Sequence, residues 1–141
     1  MLGTIRTLDE DMKATVLQRL EEIVYNTAKA NNTKAEITYQ VSYPITYNDP
    51  GLYENMLPSL KRINGPESVH FMNAITGAED FSFFQKEVPG LYFFIGGAKE
   101  GTDPAKAAPH HTPDFYVDDS AMLTEVKSMT TLALDYLSKR K

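Results

Sequence analysis

Residues 35–43 read AEITYQVSY, an unbroken alternation. Ala35, Ile37, Tyr39, Val41 and Tyr43 take one side; Glu36, Thr38, Gln40 and Ser42 take the other. A period of two with one apolar side predicts a half-buried strand. Upstream, GTIRTL at 3–8 reads as a second, shorter strand. Between the two, Met12, Val16, Leu17, Leu20, Ile23, Val24 and Ala28 recur at spacings of three and four, the pattern of one helical face. Lys13, Arg19, Glu22 and Lys29 occupy the opposite face. Thr7 is expected to cap this helix, with Glu10 closing a capping box, and Asn31 and Asn32 to end it. Strand, helix and strand in this order form a βαβ-like unit.

Downstream, PITYNDPG at 44–51 breaks both periodicities and marks a boundary between domains. A second helix starts there, with Asp49 as cap and Pro50 at its first position. Leu52, Met56, Leu57, Leu60 and Ile63 form its apolar face. Pro58 is expected to kink it, and Asn64-Gly65-Pro66 to end it. Residues 68–74 read as a strand, 79–86 as a short helix, and the apolar run LYFFIGG at 91–97 as a strand covered on both faces. The stretch 98–118 has no periodicity and is long for a loop, a length that often carries function. The last helix spans about 120–138, capped by Asp118 or Asp119. Leu123, Val126, Met129, Thr130, Ala133, Leu134 and Leu137 form its expected buried stripe. The aromatic residues Phe81, Phe83, Phe84, Tyr92, Phe93 and Phe94 read as core, and His70 as a half-buried strand residue.

The 141 residues suit one domain or two very small ones, and 42% hydrophobic with 23% charged residues is a globular composition. The net charge of −5 argues against a general nucleic-acid binder. No apolar run is long enough to span a bilayer. The N-terminal MLGTIRTLDED lacks the basic-then-apolar order of a signal peptide and reads as the middle of something longer. The chain has no cysteine, so any metal site must use His, Asp and Glu. That absence leaves the compartment open.

Three places could carry chemistry. His110 and His111 are adjacent within PHHTPDFYVDD, 109–119, and only His70 lies elsewhere. Neighbouring loop residues point in different directions, so at most one would enter a given site. A polar loop pair is the ordinary reading; a metal ligand or an acid–base group at a sheet edge is the functional one. Thr76-Gly77, followed by Glu79 and Asp80, would offer free backbone N–H groups to an anion at a helix start. The same acidic residues would also simply stabilise that helix end. Arg6 on the first strand is either solvent-facing or salt-bridged, or a clamp for a carboxylate.

Taken together, GTIRTLDEDM, GAEDFSFFQKEVPGLYFFIGG and HHTPDFYVDDSAML, in that order, resemble the co-catalytic zinc metallopeptidases and amidohydrolases. That family includes hippurate hydrolase, auxin-conjugate hydrolases, aminoacylase and glutamate-releasing carboxypeptidases; the N-acyl-amino-acid amidohydrolase branch is the most similar. The resemblance implies an α/β (α+β) class. Residues 1–45 would be the second half of a ferredoxin-like lid and dimerisation domain, and 46–141 the C-terminal part of a catalytic domain. It also implies that His111 is a metal ligand, with His110 as second choice. Arg6, Thr76, Gly77 and Glu79 would bind substrate. The family's remaining ligands and its general-base glutamate have no counterpart here, so no catalytic residue is assigned.

The expected function is therefore the C-terminal portion of an enzyme that cleaves the amide bond of N-acyl amino acids or peptides with metal-activated water. That enzyme would use zinc, or manganese or cobalt, in its full-length form. This chain alone would be incomplete, holding no metal stably, with a homodimer as a further expectation and neither nucleic acid nor membrane as partner. The competing reading is a non-catalytic binding or assembly module of α/β type that recognises a small carboxylate ligand; a third is an unrelated α/β regulatory domain whose small acid ligand Arg6 and the Thr76-Gly77 turn would hold.

Overall fold

The computed structural model describes residues 1–40 and 43–139. Among these residues the regular elements are four α-helices: α1 (Glu10–Ala30), α2 (Pro50–Asn64), α3 (Phe81–Glu87) and α4 (Asp119–Ser138). Single 3₁₀ turns occupy Pro66–Ser68 and Pro104–Lys106. The segments expected as strands, 3–8, 35–43, 68–74 and 91–97, are non-helical apart from Ser68. None of their described residues is paired in a strand ladder, and Val41 and Ser42 lie outside the described residues. The chain forms two compact units. Met1–Tyr47 joins Met72–Gly90 in the first; Asn48–Phe71 joins Leu91–Lys141 in the second.

In the first unit, α1 is fixed at both ends by side chains. The Asp9 carboxylate accepts from the Met12 N–H at 2.7 Å, so Asp9 is the cap in place of Thr7. A charged acceptor next to the first turn satisfies an orphan N–H and opposes the positive end of the helix dipole. At the other end the Asn31 N–H donates to the Thr27 and Ala28 carbonyls, and Asn32 takes the left-handed conformation, φ 52°. Along the polar face, Arg19 pairs with Glu22 at 2.6 Å. Leu17, Leu20, Val24 and Ala28 are half-buried, while Met12, Val16 and Ile23 remain exposed. No residue of α1 is fully buried. Tyr39 lies against α1: burial first, then the Glu21 carboxylate, raises its phenol above the ordinary value.

Helix α3 is a single short element. Ser82 is buried, and its Oγ donates to the Glu79 carbonyl at 2.6 Å. The Gln85 amide accepts from the Tyr47 N–H (3.2 Å) and donates to the Tyr47 carbonyl (2.9 Å), imitating one rung of a ladder. Gly90 makes room for it: a Cβ there would stand 2.5 Å from Gln85 Cγ.

In the second unit, Asp49 caps α2 by accepting from the Leu52 N–H at 2.7 Å, with Pro50 at the first helical position. The helix runs on through Pro58 and stops at Gly65, whose φ of 83° favours glycine. Met56 and Leu60 are the buried apolar residues of α2. The partner of α2 is α4. The faces meet through polar groups: Asn64 Nδ2 donates to Ser128 Oγ at 3.1 Å, and Asp135 Oδ2 accepts from Ser59 Oγ at 2.5 Å and Arg62 at 2.6 Å. Hydrogen bonds from Ser59 and then Arg62 hold the Asp135 carboxyl below its usual range.

The stripe expected to bury α4 is the side it leaves in solvent. Leu123, Val126, Met129, Leu134 and Leu137 are 57–64% exposed, whereas Ser128 is fully buried. The small Ser128 lets the α2 backbone side approach, and Asp135 finds two donors there; neither contact is available on the apolar stripe. The aromatic residues also depart from a single core. Phe81 and Phe84 lie 6.4 Å apart in the first unit, where Phe83 meets Tyr43 at 5.8 Å. Tyr92 and Phe94 meet edge-on at 5.3 Å in the second. Phe83, Phe84 and Phe94 are about half exposed or more, and His70 is exposed rather than half-buried.

Candidate functional site

The residues singled out by sequence fall into two groups, one in each unit. In the first, the Arg6 guanidinium donates through Nη1 to the Thr76 carbonyl at 2.6 Å. The two residues are 70 positions apart, so this contact ties the N-terminal segment to the 72–80 stretch. A guanidinium has five N–H donors in a fixed fork. One is used on Thr76 and orients the group, and the exposed remainder can take a carboxylate side-on. The Glu79 carboxylate lies over Gly77: a Cβ built there would sit 3.7 Å from Glu79 Oε1. Thr76 and Gly77 are exposed and Glu79 is half-buried. Helix α3 begins only at Phe81 and has seven residues. The Thr76-Gly77 turn therefore stands upstream of the helix, and the dipole expected to favour an anion there is not at its door.

The second group is the 98–118 excursion. It is closed at its base, where the Asp118 N–H donates to the Gly97 carbonyl at 2.8 Å. Asp118 then starts α4: its Oδ1 accepts from Ser120 Oγ at 2.5 Å and the Ser120 N–H at 3.0 Å, and these bonds hold its carboxyl below the ordinary range. Asp118, rather than Asp119, is the cap. Inside the excursion, Thr112 Oγ1 donates to the Pro109 carbonyl at 2.7 Å and the Phe115 N–H to the Thr112 carbonyl at 3.1 Å. These bonds make two successive tight turns.

The two histidines differ within that turn. The His110 ring packs on Phe115, centroids 4.7 Å apart. His111 is exposed, and its φ of 66° is left-handed. A non-glycine residue in that region costs of order 1–3 kcal/mol, and such residues cluster at functional sites. The imidazole planes lie at 69° with centroids 6.5 Å apart.

Among the described residues no three His, Asp or Glu side chains come together as a group able to hold a metal ion. A catalytic zinc needs three protein ligands. His111 could supply one nitrogen, and the described residues do not fit a whole site.

Sequence reasoning did not anticipate the amide groups. Asn48 Oδ1 accepts from the Tyr92 N–H at 2.6 Å, and its Nδ2 donates to the Tyr92 carbonyl at 2.7 Å. Asn48 thus does in the second unit what Gln85 does in the first. The only signal was an asparagine just before the Asp49-Pro50 helix start, ordinarily read as turn chemistry.

A profile of the peptidase family M20/M25/M40 matches residues 4–135, nearly the whole chain. The chain belongs to this family. Its relatives in the M20/M25/M40 family include the putative amidohydrolase YhaA of Bacillus subtilis, 29% identical over 96% of this chain and 34% of the relative. Thermostable carboxypeptidase 2 of Saccharolobus solfataricus is 30% identical over 99% of this chain and 34% of its own length. N-acetyldiaminopimelate deacetylase of Bacillus subtilis is 33% identical over 91% and 32%. The chain spans about a third of the length of the curated relatives it matches. No solved structure matches it.

Proposed function

We propose that the chain is the C-terminal portion of a metal-dependent amidohydrolase or peptidase that cleaves the amide bond of N-acyl amino acids or short peptides with metal-activated water. The observation that carries this reading is the M20/M25/M40 match over residues 4–135, on relatives named as amidohydrolase, carboxypeptidase and deacetylase. In the full-length protein, zinc, manganese or cobalt would polarise the scissile carbonyl and lower the pKa of bound water. His111 is the residue here that would hold it, and its left-handed backbone supports a role beyond filling a loop. Arg6, oriented by the Thr76 carbonyl, would receive the carboxylate of the substrate, with Gly77 and Glu79 beside it. The remaining ligands and the base that takes a proton from water would come from outside this chain. We also propose the α/β arrangement, with 1–45 as lid and 46–141 as part of the catalytic domain. The alternating and apolar segments favour it, since strands pair stably only with enough neighbours.

Two experiments test the reading. The coding region upstream of residue 1 should continue in frame and encode a His/Asp/Glu cluster; a ribosome-binding site and stop codon directly upstream would reject it. The purified 141-residue chain, given N-acyl amino acids with zinc or manganese, should show no turnover. Robust hydrolysis would overturn the incompleteness.

A further inference from the structure

Asn64-Gly65 is the one step of the chain at which an asparagine precedes a glycine. Asparagine is a thermolabile residue, and a following glycine makes it more so. With no Cβ, glycine leaves its backbone nitrogen open to approach and lets the backbone turn into unusual conformations. The reaction needs only water and hydroxide. The Gly65 nitrogen gives its proton to hydroxide and attacks Asn64 Cγ. The new N–C bond closes a succinimide ring; the Cγ–Nδ2 bond breaks, and the nitrogen takes a proton from water and leaves as ammonia. Water then opens the ring at either carbonyl, giving aspartate or isoaspartate at position 64.

The structure leaves the attacking nitrogen free and holds the group it would attack. Gly65 stands just past α2, and its N–H makes no hydrogen bond among the described residues. Asn64 is the last residue of α2. Its Nδ2 donates to the Leu60 carbonyl at 3.2 Å and to Ser128 Oγ at 3.1 Å, and Ser128 Oγ donates back to Oδ1 at 3.5 Å. Ser128 is fully buried, so this part of the contact is closed to water. Side chains on a helix lean toward its N-terminus. The bond to Leu60 fixes that lean and draws Cγ away from the Gly65 nitrogen; the bonds to Ser128 fasten the same amide to α4. Ring closure needs both released. Helix ends open locally more readily than whole domains unfold, and such an opening would release both.

We propose that Asn64-Gly65 is a deamidation site guarded by α4: Ser128 holds the Asn64 amide while the two helices are packed, and the reaction runs when the end of α2 opens. The product cannot resume the contact. A carboxylate has no N–H to give the Leu60 carbonyl, and it sets a negative charge at the negative end of the α2 dipole. Isoaspartate also adds a methylene to the main chain where α2 must stop. Each conversion therefore makes one opening permanent, and the α2–α4 contact weakens as the molecule ages. This goes beyond the hydrolase reading and does not depend on it.

The test follows peptide masses of the 141-residue chain at mildly alkaline pH, folded and in denaturing urea, with helical circular dichroism confirming the folded state. In urea, Asn64 should convert first among the asparagines, with the mass gain of amide-to-acid conversion and with isoaspartate among the products. In the folded chain the conversion should be about tenfold slower or more, as expected when a local opening must come first. Ser128→Ala should speed it several-fold in the folded chain and leave the rate in urea unchanged. Asn64 intact in urea, or outpaced there by another asparagine, would overturn the site itself. Equal rates in the folded chain and in urea would overturn the guard, and that comparison uses no variant. A folded Ser128→Ala chain reacting at the parent rate would overturn the part given to α4 and leave the protection to the Leu60 carbonyl.

Discussion

Helices α2 and α4 pack on each other, yet they answer the same sequence pattern in opposite ways. Both carry an apolar stripe at helical spacing. Helix α2 turns its stripe inward, with Met56 at 3% and Leu60 at 6% exposure; α4 turns inward a serine and an aspartate and leaves its leucines outside. Periodicity names the face that gains from burial. It does not say what lies opposite that face, and here α2 offers Ser59, Arg62 and Asn64, which match Asp135 and Ser128. Hydrogen bonds from Ser59, Arg62 and Asn64 join the two helices, and the leucines of α4 stay exposed.

The contrast can be pressed by mutation, beginning where the effect should be greatest. Leu60→Ala removes buried side-chain volume and should cost about 2–5 kcal/mol in urea unfolding. A loss under 1 kcal/mol would mean that α2 is not the buried member of the pair. Ser128→Val forces extra atoms into a fully buried position and leaves the Asn64 amide only its bond to the Leu60 carbonyl; overpacking of this kind costs about 1–3 kcal/mol. If the variant were as stable as the parent, the α2–α4 faces would not be in close contact. Asp49→Ala should cost about 1 kcal/mol by losing the α2 cap, read from the same unfolding curves. The smallest effect is expected at Leu134→Ala, within about 0.5 kcal/mol in the same unfolding curves, because an exposed side chain loses little.

Asp135 sharpens the comparison through pH. Its carboxyl is held below the ordinary range in the folded chain by Ser59 and Arg62. A depressed folded pKa means stability that is present above the unfolded value, about 3.9, and lost as pH falls through the folded value. Asp135→Asn should therefore flatten the acid side of the stability profile and leave neutral-to-basic behaviour similar in slope. An unchanged acid limb would show that the hub does not hold the two helices.

Much of the helical layout was legible in the residues. Asp49-Pro50 and Gly65 bracket α2 as their chemistry requires, and Asp118 starts α4. The cap of α1 was misplaced by two residues because Thr7 and Asp9 are both competent acceptors, and geometry chose the charged one. The start of α3 was set too early, which put the Thr76-Gly77 turn at a helix end it does not touch. The candidate site was legible only in pieces. Nothing local announces that Arg6 reaches a carbonyl 70 positions away. The left-handed backbone of His111 was not read from the sequence either, although histidine is, with asparagine and aspartate, one of the non-glycine residues that take that region most readily.

The most direct test of the proposed role concerns the two adjacent histidines in the full-length protein. Bound metal and hydrolysis of an N-acyl amino acid should be measured for the parent, His111→Ala and His110→Ala. The account predicts that His111→Ala loses metal and activity together, while His110→Ala, which removes ring contacts with Phe115 and His111, keeps both. Metal content and turnover left intact by His111→Ala would contradict it.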